Sequence, residues 1–155
     1  MTPLRVVAAT FAALLLSLAC ACACAADFRS VGPAPVVLYD APSSKSARRH
    51  VAPPGMPVEI LSVYGAWVKV RDADGDMAWT EAKGLSARRT IVVKALLARV
   101  RAAADDSAAI LMTADKGVLL ELAGPQPQAQ PGDWVQVRHQ DGIGGFVRAF
   151  EVWGI

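Results

Sequence analysis

Apolar and polar side chains alternate along two short stretches of the chain, residues 67–71 (Trp-Val-Lys-Val-Arg) and 134–138 (Trp-Val-Gln-Val-Arg). A period of two is typical of a β-strand with one buried face. Each stretch leads into Asp-Gly, at 74–75 and 141–142, which favours a tight hairpin because glycine tolerates the positive φ that the turn requires. The pattern therefore predicts two β-hairpins, whose second strands run through residues 77–80 and 145–147.

The two hairpins belong to a longer internal repeat. Residues 67–79 align with 134–146 without a gap, and both segments end on an aromatic residue. Upstream, residues 55–60 align with 117–122, which predicts one further strand in each copy. The second copy is longer within the Pro/Gln/Gly-rich segment 123–133. The chain thus contains a duplicated module with a loop insertion in its second copy.

Modules this small bury only a modest core on their own. We therefore expect the two copies to pack together through residues 83–93. In that junction, residues 83–89 serve as the linker, and the apolar run 91–93 forms a strand.

The N-terminus has the order of a secretory signal peptide: Arg5, an apolar run at 6–18, and small residues at 19–26. Cleavage before Ala26 removes residues 1–25. The apolar run is shorter than the roughly 20 residues that a spanning helix needs. The sequence thus predicts an exported, periplasmic protein with no membrane span in the mature chain.

All three cysteines lie in this leader, so the mature chain contains none. Their absence excludes a disulfide framework and a cysteine nucleophile. Residues 17–19 before Cys20 form a partial lipobox, with Ser17 where leucine is usual. A lipid anchor at Cys20 is the alternative that this motif leaves open.

The charge balance argues against a nucleic-acid partner. Fifteen of the sixteen Lys and Arg residues follow Ala25, against all fourteen Asp and Glu residues. A chain this close to neutral has no bulk field that would attract nucleic acid or an anionic membrane.

Several short motifs resemble the bacterial SH3-like domain. In the first copy they are Tyr39-Asp40-Ala41-Pro42-Ser43, Gly55-x-Pro57-Val58-Glu59-Ile60, Trp67-x-Lys69-Val70-Arg71, Asp74-Gly75 and Trp79. Arg88-Arg89-Thr90 and the terminal Glu151-Val152-Trp153-Gly154 are similar to the two-copy exported form of that family. The resemblance implies an all-β fold of two tandem SH3-like small β-barrels, each of about five strands, at residues 34–88 and 91–155. Where the family usually has Gly-Trp after the hairpin, this chain has Ala78-Trp79 and Gly145-Phe146.

Residues 72–76 (Asp-Ala-Asp-Gly-Asp) cluster three carboxylates, as calcium sites do. An EF-hand needs its glycine later and a glutamate at position twelve, and the aligned residues 139–143 hold a single aspartate. A solvated hairpin turn is the favoured interpretation. His50 and His139 have no second ligand at zinc spacing, and no Gly-x-Ser-x-Gly motif is present. The sequence predicts no metal, no cofactor and no enzymatic activity.

The aromatic residues are the candidates for ligand contact, because aromatic grooves seat peptides and sugar rings. We predict that Tyr39, Tyr64 and Trp67 contact the ligand, and that Arg48 and Arg49 support them by binding peptide carboxylates. Core packing is the alternative for the aromatic residues, and it is the favoured interpretation for Trp79 and Phe146. A solvated loop is the alternative for the arginines.

The function expected from the resemblance is that of a non-enzymatic exported binding protein. Its ligand would be either the peptide part of peptidoglycan or an envelope protein. The alternative is a structural or regulatory subunit of an envelope protein complex with no small ligand.

Overall fold

A computed structural model of the chain describes residues 26–124 and 132–155. The predicted signal peptide and the possible anchor at Cys20 lie outside the described residues. Within the described ranges, the regular structure is β-strand, with two short 3-10 helices at Ala82–Gly84 and Ala149–Glu151. No helix in this part of the chain is long and apolar enough to cross a membrane.

The strands form two seven-stranded antiparallel sheets. The first contains β1 (Asp27–Val31), β2 (Val36–Tyr39), β3 (Arg48–Ala52), β4 (Pro57–Tyr64), β5 (Trp67–Arg71), β6 (Met77–Glu81) and β7 (Leu85–Ser86), in the spatial order β3-β2-β6-β5-β4-β1-β7. The second contains β8 (Thr90–Val93), β9 (Leu97–Arg101), β10 (Ile110–Asp115), β11 (Leu119–Leu122), β12 (Trp134–Arg138), β13 (Gly144–Arg148) and β14 (Val152–Trp153), in the order β10-β9-β13-β12-β11-β8-β14.

The two spatial orders are the same, displaced by seven strands. The structure therefore confirms the predicted fold class, all-β with two tandem modules. Each module has seven strands where the sequence indicates about five.

The two predicted hairpins are present as β5–β6 and β12–β13. Their turns contain Gly75 at φ 92° and Gly142 at φ 88°. These are left-handed conformations that glycine adopts without steric cost, which is why Asp-Gly is an informative signal at both places.

Each module encloses its own core. The period-two valines point inward as predicted: Val68 and Val70 in the first module, and Val135 and Val137 in the second, are at most 7% exposed. The largest fully buried side chains of the second core are Ile91 and Leu120. Full burial of a side chain of this size contributes about 1.5–3 kcal/mol to stability.

The basic residues Arg48, Arg49 and His50 lie in edge strand β3 and not in a solvated loop. All three are exposed, so the segment lacks the apolar alternation that indicates a strand. Charged side chains on an edge strand are a common protection against pairing with other chains.

The modules meet through side chains at the junction. The ring of Phe28 in β1 packs edge-on against that of Trp153 in β14, with 5.0 Å between centroids. Arg89 lies beside this pair: its guanidinium is 5.5 Å from the Phe28 ring, and its Nη2 donates to the Gly154 carbonyl at 2.8 Å. Burial lowers the pKa of Arg89. These contacts join the first strand of one module to the last strand of the other.

Candidate functional site

Four aromatic residues of the first module lie on the outer face of its sheet: Tyr39, Tyr64, Trp67 and Trp79. We call this set the aromatic face. Residues directly opposite in an antiparallel pair carry their side chains on the same side of the sheet. Trp79 lies opposite both Tyr39 and Lys69, and Trp67 lies opposite both Tyr64 and Glu81. Register therefore brings together residues that are far apart in the sequence.

Tyr39 and Trp67 form the centre of the aromatic face. Their ring centroids are 5.5 Å apart and their planes are inclined by 83°, an edge-to-face arrangement that contributes about 0.5–1.5 kcal/mol. Both side chains are half-buried, whereas Tyr64 at the end of β4 is 67% exposed. The structure thus places the three predicted aromatic contact residues on one surface. Trp79, for which packing is the favoured interpretation from sequence, lies half-buried on the same surface.

The two predicted arginines differ in their surroundings. Arg49 is held by the protein itself, since Nη1 donates to the Met77 carbonyl at 2.6 Å and Nε pairs with Asp40 Oδ1 at 3.0 Å. Arg48 lies opposite Tyr39 and is exposed. Its side chain makes no hydrogen bond or ion pair with the described part of the chain. Arg48 is therefore available to a ligand and Arg49 is occupied.

Two lysines and one glutamate add charge to the aromatic face. Lys69 lies opposite Trp79 and has no ion-pair partner among the described residues. Glu81 pairs with Lys83, and this hydrogen bond raises the pKa of Lys83. Arg48 and Lys69, the two charges on this surface without an ion-pair partner in residues 26–124 and 132–155, are both positive.

The equivalent surface of the second module carries arginines in place of two side chains of the first. The counterpart of Glu81 is Arg148, whose guanidinium lies over the Trp134 ring at 4.2 Å, close enough for a cation–π interaction. Arg148 is fixed there by the Gly132 carbonyl, at 2.6 Å, and by an ion pair with Asp106. The counterpart of Tyr39 is Arg101, which donates to the Ala108 carbonyl at 2.8 Å. The second module therefore has an arginine over its tryptophan, whereas the first has the edge-on ring of Tyr39 against Trp67.

No local sequence pattern identifies Arg148 as part of this surface. The repeat does show a difference in charge two positions beyond the aligned segment, where Glu81 of the first copy aligns with Arg148 of the second. Recognising its role requires knowing that it lies opposite Trp134.

The Asp72 carboxylate holds the turn of the first hairpin. Its Oδ1 accepts the backbone N–H groups of Asp74 at 3.1 Å and Asp76 at 2.9 Å. In the second hairpin His139 occupies this position, and its Nδ1 pairs with Asp141 Oδ2 at 3.0 Å. Residues 26–124 and 132–155 contain no group of three or more His, Cys, Asp or Glu side chains arranged for a metal ion.

Comparison with known proteins gives one family match by sequence. The family described as "Bacterial SH3 domain" matches the chain twice, at residues 32–86 and 94–154. No curated protein is a detectable relative of the chain by sequence.

Solved structures of NlpC2 and NlpC1 from Trichomonas vaginalis are similar to 83% of this chain, at 9% identity and a TM-score of 0.38 each. The chain spans 48% and 45% of those proteins, respectively, which is less than half of their length.

Proposed function

The chain belongs to the bacterial SH3 domain family, and from this premise we propose that it is an exported, non-enzymatic, periplasmic binding protein whose first module recognises the peptide of the cell wall. The observation that carries the proposal is the half-buried Tyr39–Trp67 pair beside the exposed Tyr64. In the second module the guanidinium of Arg148 lies over the equivalent tryptophan, where it would compete with a ligand.

The chemistry of the aromatic face suits a short peptide with carboxylate groups. Aromatic rings provide flat apolar contact for a backbone or a small side chain at low entropic cost. Arg48 and Lys69 can pair with carboxylates, and arginine can do so with two parallel hydrogen bonds. Neither must first break an ion pair with the described part of the protein.

Co-sedimentation of the chain from Ala26 onward with peptidoglycan sacculi tests this proposal at low and high salt. Wild-type protein should bind, and part of the binding should survive salt because aromatic contact is not screened. Tyr39→Ala combined with Tyr64→Ala should weaken binding roughly tenfold, the loss expected when a central aromatic contact is removed. Arg48→Gln should mainly reduce the salt-sensitive fraction of binding, which is the difference between the amounts bound at low and at high salt.

Phe150→Ala is the matched control, since Phe150 is 55% exposed in the second module. It should leave binding unchanged. Wild-type affinity in a folded Tyr39→Ala/Tyr64→Ala variant would rule out the aromatic face. No sedimentation of wild-type protein at either salt would rule out cell-wall recognition.

A second candidate function is that of a structural or regulatory subunit of an envelope complex. The observation that favours it is the apolar edge of the second module, where Leu96 is 87% exposed and Ile110 and Leu111 are about half exposed. Exposed apolar side chains beside an edge strand suit a protein partner. A single cross-linked protein that is lost with Leu96→Ser/Leu111→Ser, while sacculus binding persists, would favour this function.

A further inference from the structure

A cleft of about 530 Å³ separates the two modules, away from the aromatic face. One wall comes from the first module and the junction, including Val31, Pro33, Pro54 and Arg88, and the other from Leu119, Glu121, Arg138 and Gln140. Its volume is within the range of small-ligand sites, about 300–1,000 Å³. Because both modules contribute to it, the cleft exists only in the packed pair.

The ion pair beside the cleft differs from its counterpart in the first module. The two equivalent glutamates, Glu59 and Glu121, bind arginines at different positions. In the first module, Glu59 and Arg71 lie opposite each other, and Arg71 Nε donates to Glu59 Oε2 at 2.9 Å. Glu121 and Arg138 lie opposite each other in the second, so the repeat would pair them in the same way.

The junction residue Arg88 takes the place of Arg138. Arg88 holds Glu121 by two bonds, Nε to Oε1 at 2.9 Å and Nη2 to Oε2 at 2.7 Å. This two-point geometry is the strong form of an arginine–carboxylate pair. As a result, Arg138 has no ion pair or side-chain hydrogen bond with the described part of the chain.

The remaining polar groups of the cleft are mostly satisfied internally. Ser30 Oγ and Thr90 Oγ1 are 2.6 Å apart, and Thr90 Oγ1 also donates to the Gly55 carbonyl. The side chains of Arg138 and Gln140 are the exceptions among the lining residues: both are exposed and neither has a hydrogen-bond partner within the described ranges. The Arg138 guanidinium and the Gln140 amide, without partners in the described part of the chain, therefore lie beside apolar proline, valine and leucine side chains.

We infer that this cleft is a second binding site, which takes the free C-terminal carboxylate of a short apolar peptide on Arg138. The carboxylate pairs with the Arg138 guanidinium, Gln140 offers its amide N–H to the same group, and apolar side chains lie against Pro33, Pro54 and Leu119. This site does not depend on the aromatic face or on cell-wall recognition.

Isothermal titration calorimetry with two synthetic probes tests the inference. One probe is an N-acetylated alanine–leucine–alanine peptide with a free carboxylate, and the other is the same peptide with an amidated C-terminus. The free acid should bind at least tenfold more tightly than the amide, because only the acid completes the ion pair. Octanoate as a third probe separates a general preference for apolar acids from recognition of a peptide.

Three variants locate the site. Arg138→Gln should weaken binding of the free acid about tenfold, the scale of one lost charged contact, and Arg138→Lys should restore part of it. Glu121→Gln should tighten binding several-fold, because it removes the carboxylate that competes for the guanidinium groups. Arg99→Gln, an equal charge change at an exposed position of β9, should have no effect.

Equal binding of acid and amide, or wild-type binding by a folded Arg138→Gln variant, would overturn the inference. Octanoate binding as tightly as the peptide would overturn the assignment of a peptide ligand. The Tyr39→Ala/Tyr64→Ala variant should still bind the free acid, so that failure of the aromatic face and failure of the cleft give different results.

Discussion

Phe28 and Trp153 pack edge-on with 5.0 Å between ring centroids and 86° between ring planes. One residue lies in the first strand of the first sheet and the other in the last strand of the second. The contact therefore makes the two modules one packed unit, on which the inter-module cleft depends.

We expect Phe28→Ala to destabilise the whole protein. Phe28 is 9% exposed, and truncation of a buried phenylalanine typically costs about 3–5 kcal/mol. Denaturant unfolding followed by tryptophan fluorescence should show a lower midpoint, and separate transitions for the two modules. Phe150→Ala, at an exposed position, should change stability by less than about 0.5 kcal/mol. An unchanged midpoint for Phe28→Ala would contradict the role given to this contact.

Thr90→Val should cost about 1–3 kcal/mol, because the Gly55 carbonyl loses a donor and the buried Ser30 hydroxyl loses its side-chain partner. The Thr90 hydroxyl donates to the Gly55 carbonyl and contacts Ser30 Oγ, and Ser30 is 2% exposed. Thr90→Ser keeps the hydroxyl and should retain most of the stability. Thermal unfolding of the two variants compares them directly, and equal melting temperatures would show that the hydroxyl network contributes nothing.

Asp72→Ala should destabilise the first hairpin by about 1–2 kcal/mol, since it removes the acceptor of two backbone N–H groups. Asp72→Asn keeps an acceptor oxygen and should cost less. Asp74→Ala removes an exposed carboxylate of the same turn and serves as the control. Chemical denaturation gives the three values, and an Asp74→Ala variant as unstable as Asp72→Ala would argue against this description of the turn.

Gly145→Ala should be poorly tolerated although the first copy has alanine at the equivalent position. A Cβ on Gly145 would lie 2.4 Å from the Arg101 carbonyl oxygen and 2.7 Å from a methyl group of Val100. Removing this steric overlap requires β9 to move, which should lower the free energy of unfolding by about 1–3 kcal/mol. At Gly144 the nearest atom is 3.6 Å away, so Gly144→Ala is the matched control. Equal melting temperatures for the two variants would refute the close approach of β9 and β13.

The pKa of Glu121 should depend on Arg88. The hydrogen bond and charge of Arg88 lower the pKa of the Glu121 carboxyl below its ordinary value. A pKa lower in the folded than in the unfolded state means that the contribution to stability is complete above the unfolded value. It is lost as pH falls through the folded value.

Carbon-detected NMR titration should show the Glu121 pKa rising part of the way toward its ordinary value in Arg88→Gln, since the charge of Arg138 also lowers it, and rising further in Arg88→Gln/Arg138→Gln. The pKa of Asp105, which hydrogen bonds from Ser107 lower, should not move. A Glu121 pKa that is the same in the wild type and in the double variant would mean that neither arginine acts on this carboxylate in solution.

Local sequence predicts the parts of the fold in which neighbours in the chain are neighbours in space. The alternation around Val68 and Val135 and the Asp-Gly turns predict the two hairpins, because a hairpin is specified by its own turn and by one buried face. The repeat then implies that both modules have the same architecture. The bacterial SH3 match at residues 32–86 and 94–154 confirms the family that the motifs indicated.

Tertiary structure decided which distant side chains meet. Nothing local to Tyr39 indicates that Trp67 packs against it, or that Arg148 covers Trp134 in one copy only. The pairing of Glu121 with Arg88, and not with Arg138 opposite it, is likewise invisible in the repeat, where the two positions match Glu59 and Arg71. Local pattern determines strand and turn because these depend on φ, ψ and periodicity. Sheet register and module packing are global properties, and they determine which side chain lies against each tryptophan and which arginine binds Glu121.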